Sequence, residues 1–144
     1  MKKVGGLYVV RGQFLESEYP KIHLFDGKYT TGFKIVDFVV CAADPTDAAE
    51  DCHAKLATEE MSSSTWNWDD VQEIAWASSE NRVANAPSFG RSIIDPDNLV
   101  IEDLYLRGNT SGDAAINYMI TMQKYEFKSW DGAAVLVKNK SQAA

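Results

Sequence analysis

The chain has 144 residues, 45% of them hydrophobic, with 4 Trp, 6 Tyr and 6 Phe. That is enough for a single packed domain over residues 1–144 that buries roughly two thirds of its unfolded surface without disulfide or metal. Charged residues at 24%, with 9 Gly and 4 Pro, exclude a collagen-like, low-complexity or wholly disordered chain. The 14 basic residues are scattered among 21 acidic ones for a net charge of −7. This argues against direct nucleic-acid binding, which needs clustered cations, and against anionic membranes.

The apolar stretch after Met1-Lys2-Lys3 ends at Arg11 and has no small-residue cleavage site behind it, so no leader peptide and no membrane span are expected. Gly6 to Phe14 alternates as a strand, with Leu7 and Val9 on one face and Tyr8, Val10 and Phe14 on the other. Lys21 to Phe25 is a second strand and Asp26-Gly27 a turn. Lys28 to Cys41 is a long strand with Phe33, Ile35 and Val39 on one face and Val36, Phe38 and Val40 on the other. Such two-sided apolarity predicts a central strand, or one buried by a partner. Asp44-Pro45-Thr46-Asp47 has the form of a helix start. Ala48, Cys52 and Leu56 would share a helical face, yet Cys52, Ala54, Leu56 and Thr58 also alternate, so a short helical turn before a strand at about 51–58 is expected.

Met61 to Ser64 is a loop, and Val71 to Ser78 a strand with Ile74 and Trp76 on its inner face. Residues 81–96, with Asn85, Pro87, Gly90 and Pro96, form a long loop or arm. Leu99 to Arg107 sets Val100, Leu104 and Leu106 against Asp103 and Arg107. Ala115 to Tyr125 sets Ile116, Tyr118, Ile120 and Met122 against Asn117, Thr121 and Gln123, with Met119 breaking the polar row. Ala133 to Lys138 is a short β-rich segment after the turn Trp130-Asp131-Gly132. These last three segments predict a three-strand antiparallel meander. The whole chain is expected to be all-β, an antiparallel β-sandwich or jelly-roll-like barrel of about seven to nine strands with at most one short helix.

Chemical motifs are sparse. The chain has no GxGxxG, GxxxxGK[ST], HExxH or GxSxG. Cys41 and Cys52 lie outside any CxxC, and no His stands at metal-finger spacing, so no structural metal is expected. His53 follows Cys52, and strand neighbours face opposite ways, so the two cannot act as a pair there; His23 sits opposite Ile22 and Leu24. Asp95-Pro96-Asp97-Asn98 begins like a calcium loop but has Leu106 where the twelfth-position Glu belongs. Asp69-Asp70 and Glu102-Asp103 are carboxylate pairs of the kind glycoside hydrolysis uses, though adjacent acids are common in an acidic chain. Asn109-Thr110-Ser111 and Asn139-Lys140-Ser141 match the glycosylation sequon.

Trp66, Trp68 and Trp76 form the most unusual cluster. It suits a core, a subunit contact or a sugar-stacking platform. Three blocks carry a resemblance. They are Leu56-Ala57-Thr58 through Trp66-Asn67-Trp68-Asp69-Asp70 to Glu73-Ile74-Ala75-Trp76-Ala77; Ile94 through Asp95-Pro96-Asp97-Asn98 to Leu104; and Ile116-Asn117-Tyr118-Met119-Ile120 with Lys124-Tyr125-Glu126. Over roughly residues 56–142 the chain resembles small capsid or capsid-decorating proteins of marine bacteriophages. The resemblance implies a virion component, made in the host cytoplasm and repeated by symmetry. Its implied partners are copies of itself and other virion proteins, and it implies no enzymatic activity, catalytic residues or cofactor. Aromatic and Arg residues in loop-rich sequence make Trp66, Trp68, Phe89 and Arg91 the expected interface. The rival expectations are a carbohydrate-binding module using Trp66, Trp68 and Trp76, and an enzyme with a cleft containing Glu102 or Asp103.

Overall fold

The structure is a computed structural model that describes residues 1–44, 50–80, 89–128, 130–132 and 134. It has eight strands: β1 (Lys2–Phe14), β2 (Lys21–His23), β3 (Thr31–Ala42), β4 (Cys52–Ala57), β5 (Glu73–Glu80), β6 (Phe89–Ile94), β7 (Asp103–Thr110) and β8 (Ile116–Glu126). They form a three-stranded sheet in the order β1-β8-β3 and a five-stranded sheet in the order β2-β7-β4-β5-β6. All pairings are antiparallel. The sheets pack face to face as the expected β-sandwich.

The core lies between them. Phe14, Ile35, Phe38, Val40, Ile116, Ile120 and Met122 come from the small sheet; Cys52, Ala54, Leu56, Ala75, Ala77, Leu104 and Leu106 come from the large one. The alanines of β4 and β5 leave room for the larger side chains opposite, which is how a close-packed interior is filled. Gly108 marks the tightest approach: a Cβ there would lie 2.8 Å from both Phe14 Cζ and Ile116 Cδ1. At the expected Asp26-Gly27 turn, Gly27 has φ +89°, a conformation that favours glycine. Asp26 accepts the Lys28 amide at 2.9 Å and the Thr31 hydroxyl at 2.6 Å.

Several expectations are corrected. β7 and β8 belong to different sheets, so the meander does not form. The five residues between them span the ~10 Å separating packed sheets, and adjacency along the chain does not fix sheet membership. Trp130–Gly132 is helical, not a hairpin turn, and the Gly132 amide donates to Lys128 O at 3.2 Å. Ala134 is also helical; Ala133 and 135–138 lie outside the described residues, as do Pro45 to Ala49 of the expected helix start. Within the expected arm, Phe89–Ile94 is a strand paired with β5, whereas 81–88 lie outside the described residues.

β3 is an outer strand of its sheet, not a central one; the centre belongs to β8. Its register shifts between Ile35 and Asp37. Val36 is the extra residue of a β-bulge, so Ile35 and Phe38 both reach the core while Val36 and Val39 face outward. A strict period of two placed Val39 with Ile35; one inserted residue reverses that.

Candidate functional site

The outer face of the five-stranded sheet is roofed by the segment 58–72. A second bulge makes the roof possible. Leu56 pairs with Ala75 but Ala57 pairs with Glu73, which leaves Ile74 as the extra residue. Ile74 turns into the core, and Glu73 joins Lys55 and Trp76 on the outer face. Trp76 is therefore not on the inner face with Ile74, as a plain alternation predicts. Lys55 and Glu73 are each only 3% exposed. Lys55 Nζ lies 2.6 Å from Glu73 Oε2 and donates to Thr65 O at 2.6 Å. Glu73 Oε1 accepts from the Asn67 amide at 2.9 Å and from Trp76 Nε1 at 3.0 Å. Both charges are thus spent on holding the roof to the sheet, in keeping with the rule that buried ions are paired and hydrogen-bonded.

Trp68 and Trp76 are in contact with ring centroids 5.7 Å apart, yet Trp68 is 65% exposed and Trp76 only 7%. Trp66 meets His53 edge-on at 6.2 Å. Burial first, and the nearby Lys55 charge in addition, push the His53 imidazolium down from its ordinary range. Arg107 donates to Met61 O at 2.8 Å and lies 3.9 Å from the Tyr19 ring centroid. Beside it runs an open groove of about 600 Å³ lined by Tyr19, Lys21, Glu60, Tyr105 and Arg107.

Of the expected interface residues, Trp66 and Trp68 sit on the roof. Arg91 is exposed on β6 opposite Ser78, which itself stands opposite His53, so it shares this outer face. Phe89 opens β6 opposite Glu80; its side chain lies outside the described residues. The structure thus sets Trp66, Trp68 and Arg91 over one sheet face, with Trp76 beneath.

The carboxylate pairs have local partners. Asp103 lies 3.5 Å from Lys21 Nζ and 3.4 Å from His23 Nδ1. Asp70 accepts the Gln72 amide at 3.0 Å, and Asp95 accepts the Asp97 amide at 2.9 Å in a turn. Among the described residues no group of three or more His, Cys, Asp or Glu is placed to hold a metal. Cys41 and Cys52 are free thiols, and burial pushes the Cys52 thiol up to about 12.

The outer face of the three-stranded sheet has the opposite character. Its rows read Arg11–Met119–Val39, Val9–Thr121–Asp37 and Leu7–Gln123–Lys34. Leu7, Val9, Val36, Val39 and Met119 are exposed, from 60% at Leu7 to 40% at Met119. No roof segment lies over them among the described residues. A cleft of about 570 Å³ along Arg11, Val39, Cys41 and Met119 opens on this face. The aliphatic character of the face was visible in the sequence as the apolar break at Met119 and the two-sided apolarity around Val36 and Val39.

No family model, curated protein or solved structure matches the chain. No helix among the described residues is long and apolar enough to cross a membrane.

Proposed function

We propose that the chain is a non-enzymatic structural subunit that assembles with copies of itself, of the capsid or capsid-decorating virion class its sequence blocks resemble. One observation carries the assembly reading: the cluster of exposed aliphatic side chains on the β1-β8-β3 face. Exposed aliphatic side chains gathered on one face are a mark of contact sites, and burying apolar surface is favourable by about 25 cal/mol per Å². In the same rows Arg11, Lys34 and Asp37 stand beside the aliphatics, and Thr121 and Gln123 lie on the central strand between them.

Size-exclusion chromatography with light scattering tests it. An oligomer that Val39→Asp together with Met119→Asp reduces in size supports the proposal. A monomer at every concentration up to the solubility limit refutes it. Electron microscopy of the isolated assembly tests the virion part: closed shells, or decoration of shells formed by a partner protein, are the expected forms. The exposed Trp68 ring on Trp76 favours one second reading, a carbohydrate-binding module. A glycan array without hits removes it, and hits abolished by Trp68→Ala establish it in place of the first.

A further inference from the structure

The two long strands flanking β8 leave different edges. On β3, Phe33 exchanges both backbone hydrogen bonds with Val100, at 2.7 and 2.8 Å. Ile35 donates its amide to Asn98 Oδ1 at 2.6 Å, and its carbonyl accepts from Asn98 Nδ2 at 3.2 Å. A buried side-chain amide thus imitates the next strand and, with Val100, closes the β3 edge at Phe33 and Ile35. β1 is the outermost strand on the other side, with 13 residues and pairing to β8 alone among the described residues.

The direction of its backbone groups follows from β3. Phe33 and Ile35 turn away from β8, so Lys34, and Asp37 beyond the bulge, turn toward it. Their partners Gln123 and Thr121 therefore face β3, and Met122 and Ile120, which alternate with them, face β1. Tyr8 and Val10 stand opposite these two and bond to β8. Leu7, Val9, Arg11 and Gln13 consequently direct their N–H and C=O groups to the open side. A long unpaired edge is a template for another strand unless charge, proline or a bulge blunts it. Here Leu7-Tyr8-Val9-Val10 is uncharged, and the register shift lies before it, between Val4 and Leu7.

We infer that β1 pairs antiparallel with β1 of a second copy about a two-fold axis near Val9, joining two three-stranded sheets into one of six strands. This rests on the self-assembly reading and names its first contact. Charge favours the antiparallel sense. It brings Lys2 and Lys3 of one copy toward Glu16 and Glu18 of the other and keeps Arg11 away from its own equivalent. Parallel pairing would set like on like. A two-fold contact is self-complementary and closes, so it yields a discrete dimer. The joined sheet also merges the Leu7 and Val9 rows of both copies into one aliphatic face for later contacts.

Amide hydrogen exchange by NMR on the full chain, from micromolar to millimolar concentration and alongside light scattering, tests this. The expected result is that the amides of Leu7, Val9 and Arg11 gain protection as dimer forms, whereas those of Tyr8 and Val10 are protected throughout. Val9→Pro removes an outward donor and no bond to β8. It should weaken dimerisation by about tenfold or more, because two ladder bonds are lost per pair. Oligomer formation with these three amides still exchanging freely overturns edge pairing and leaves self-assembly standing. Protection that does not vary with concentration also overturns it, since a segment of the same chain then covers the edge. A monomer at all concentrations overturns both.

Discussion

Replacing Glu73 by alanine tests the account of the roofed face most directly. The carboxylate is 3% exposed and receives three donors: Lys55 Nζ at 2.6 Å, the Asn67 amide at 2.9 Å and Trp76 Nε1 at 3.0 Å. Removing it leaves Lys55, itself 3% exposed, with Thr65 O as its hydrogen-bond acceptor. Breaking a buried pair by deleting one partner typically destabilises by about 3–5 kcal/mol, because an uncompensated charge remains in the interior. Each orphaned neutral donor adds up to ~1–3 kcal/mol, less where water enters the vacated space. A loss of about 4 kcal/mol is a large part of the ~5–15 kcal/mol of a whole domain. At ~3 °C per kcal/mol for a chain of this size, it lowers Tm by roughly 12 °C. Urea unfolding followed by tryptophan fluorescence measures the change, with a shifted midpoint at constant slope as the expected form. Lys55→Met combined with Glu73→Leu should recover most of the loss, since an apolar pair leaves no buried charge. A loss below about 1 kcal/mol for Glu73→Ala, or no recovery in the double variant, refutes the view that this ion pair ties the roof to the sheet.

Asn98→Ala removes three hydrogen bonds at a buried position, to Ile35 N, Ile35 O and Asp95 O, and opens the β3 edge. A loss of about 2–3 kcal/mol in denaturant unfolding and increased light scattering on concentration are expected. Gly108→Ala places a methyl group 2.8 Å from Phe14 Cζ and Ile116 Cδ1 and 2.9 Å from the His53 carbonyl oxygen, so overpacking by about 1–3 kcal/mol should lower Tm. The Asp26 carboxyl is held down from 3.8 to about 2, chiefly by the Thr31 hydroxyl, with the Lys28 amide and Lys124 adding to it. Because the folded chain binds this proton less readily than the unfolded chain, the contribution is fully present above about pH 3.8 and is lost as pH falls toward about 2. Asp26→Asn should flatten the Tm profile in that window alone. A thiol reagent near neutral pH should label Cys41 readily and Cys52 only on unfolding, because the buried Cys52 thiol carries almost no thiolate there.

The sequence by itself determined the class of the fold. Alternation at period two in Ala115 to Tyr125 and in the Asp103 to Arg107 part of the segment Leu99 to Arg107, turns such as Asp26-Gly27, and the absence of sustained helical periodicity specify antiparallel strands, because each depends on neighbours a few positions apart. Tertiary structure alone decided which strands share a sheet. β7 and β8 are consecutive yet lie in opposite layers, and β8 takes partners from the first third of the chain. The bulges at Val36 and Ile74 belong to the same category. One inserted residue reverses the facing of everything beyond it, and its position is set by the partner strand. Those two insertions separate a roofed ionic face from an open aliphatic one: the first turns Val39 outward, and the second brings Glu73 to Lys55. Trp66, Trp68 and Arg91 were conspicuous by residue type, whereas Leu7, Val9 and Met119 are ordinary strand residues whose exposure follows from facing away from the opposite layer with no segment over them among the described residues.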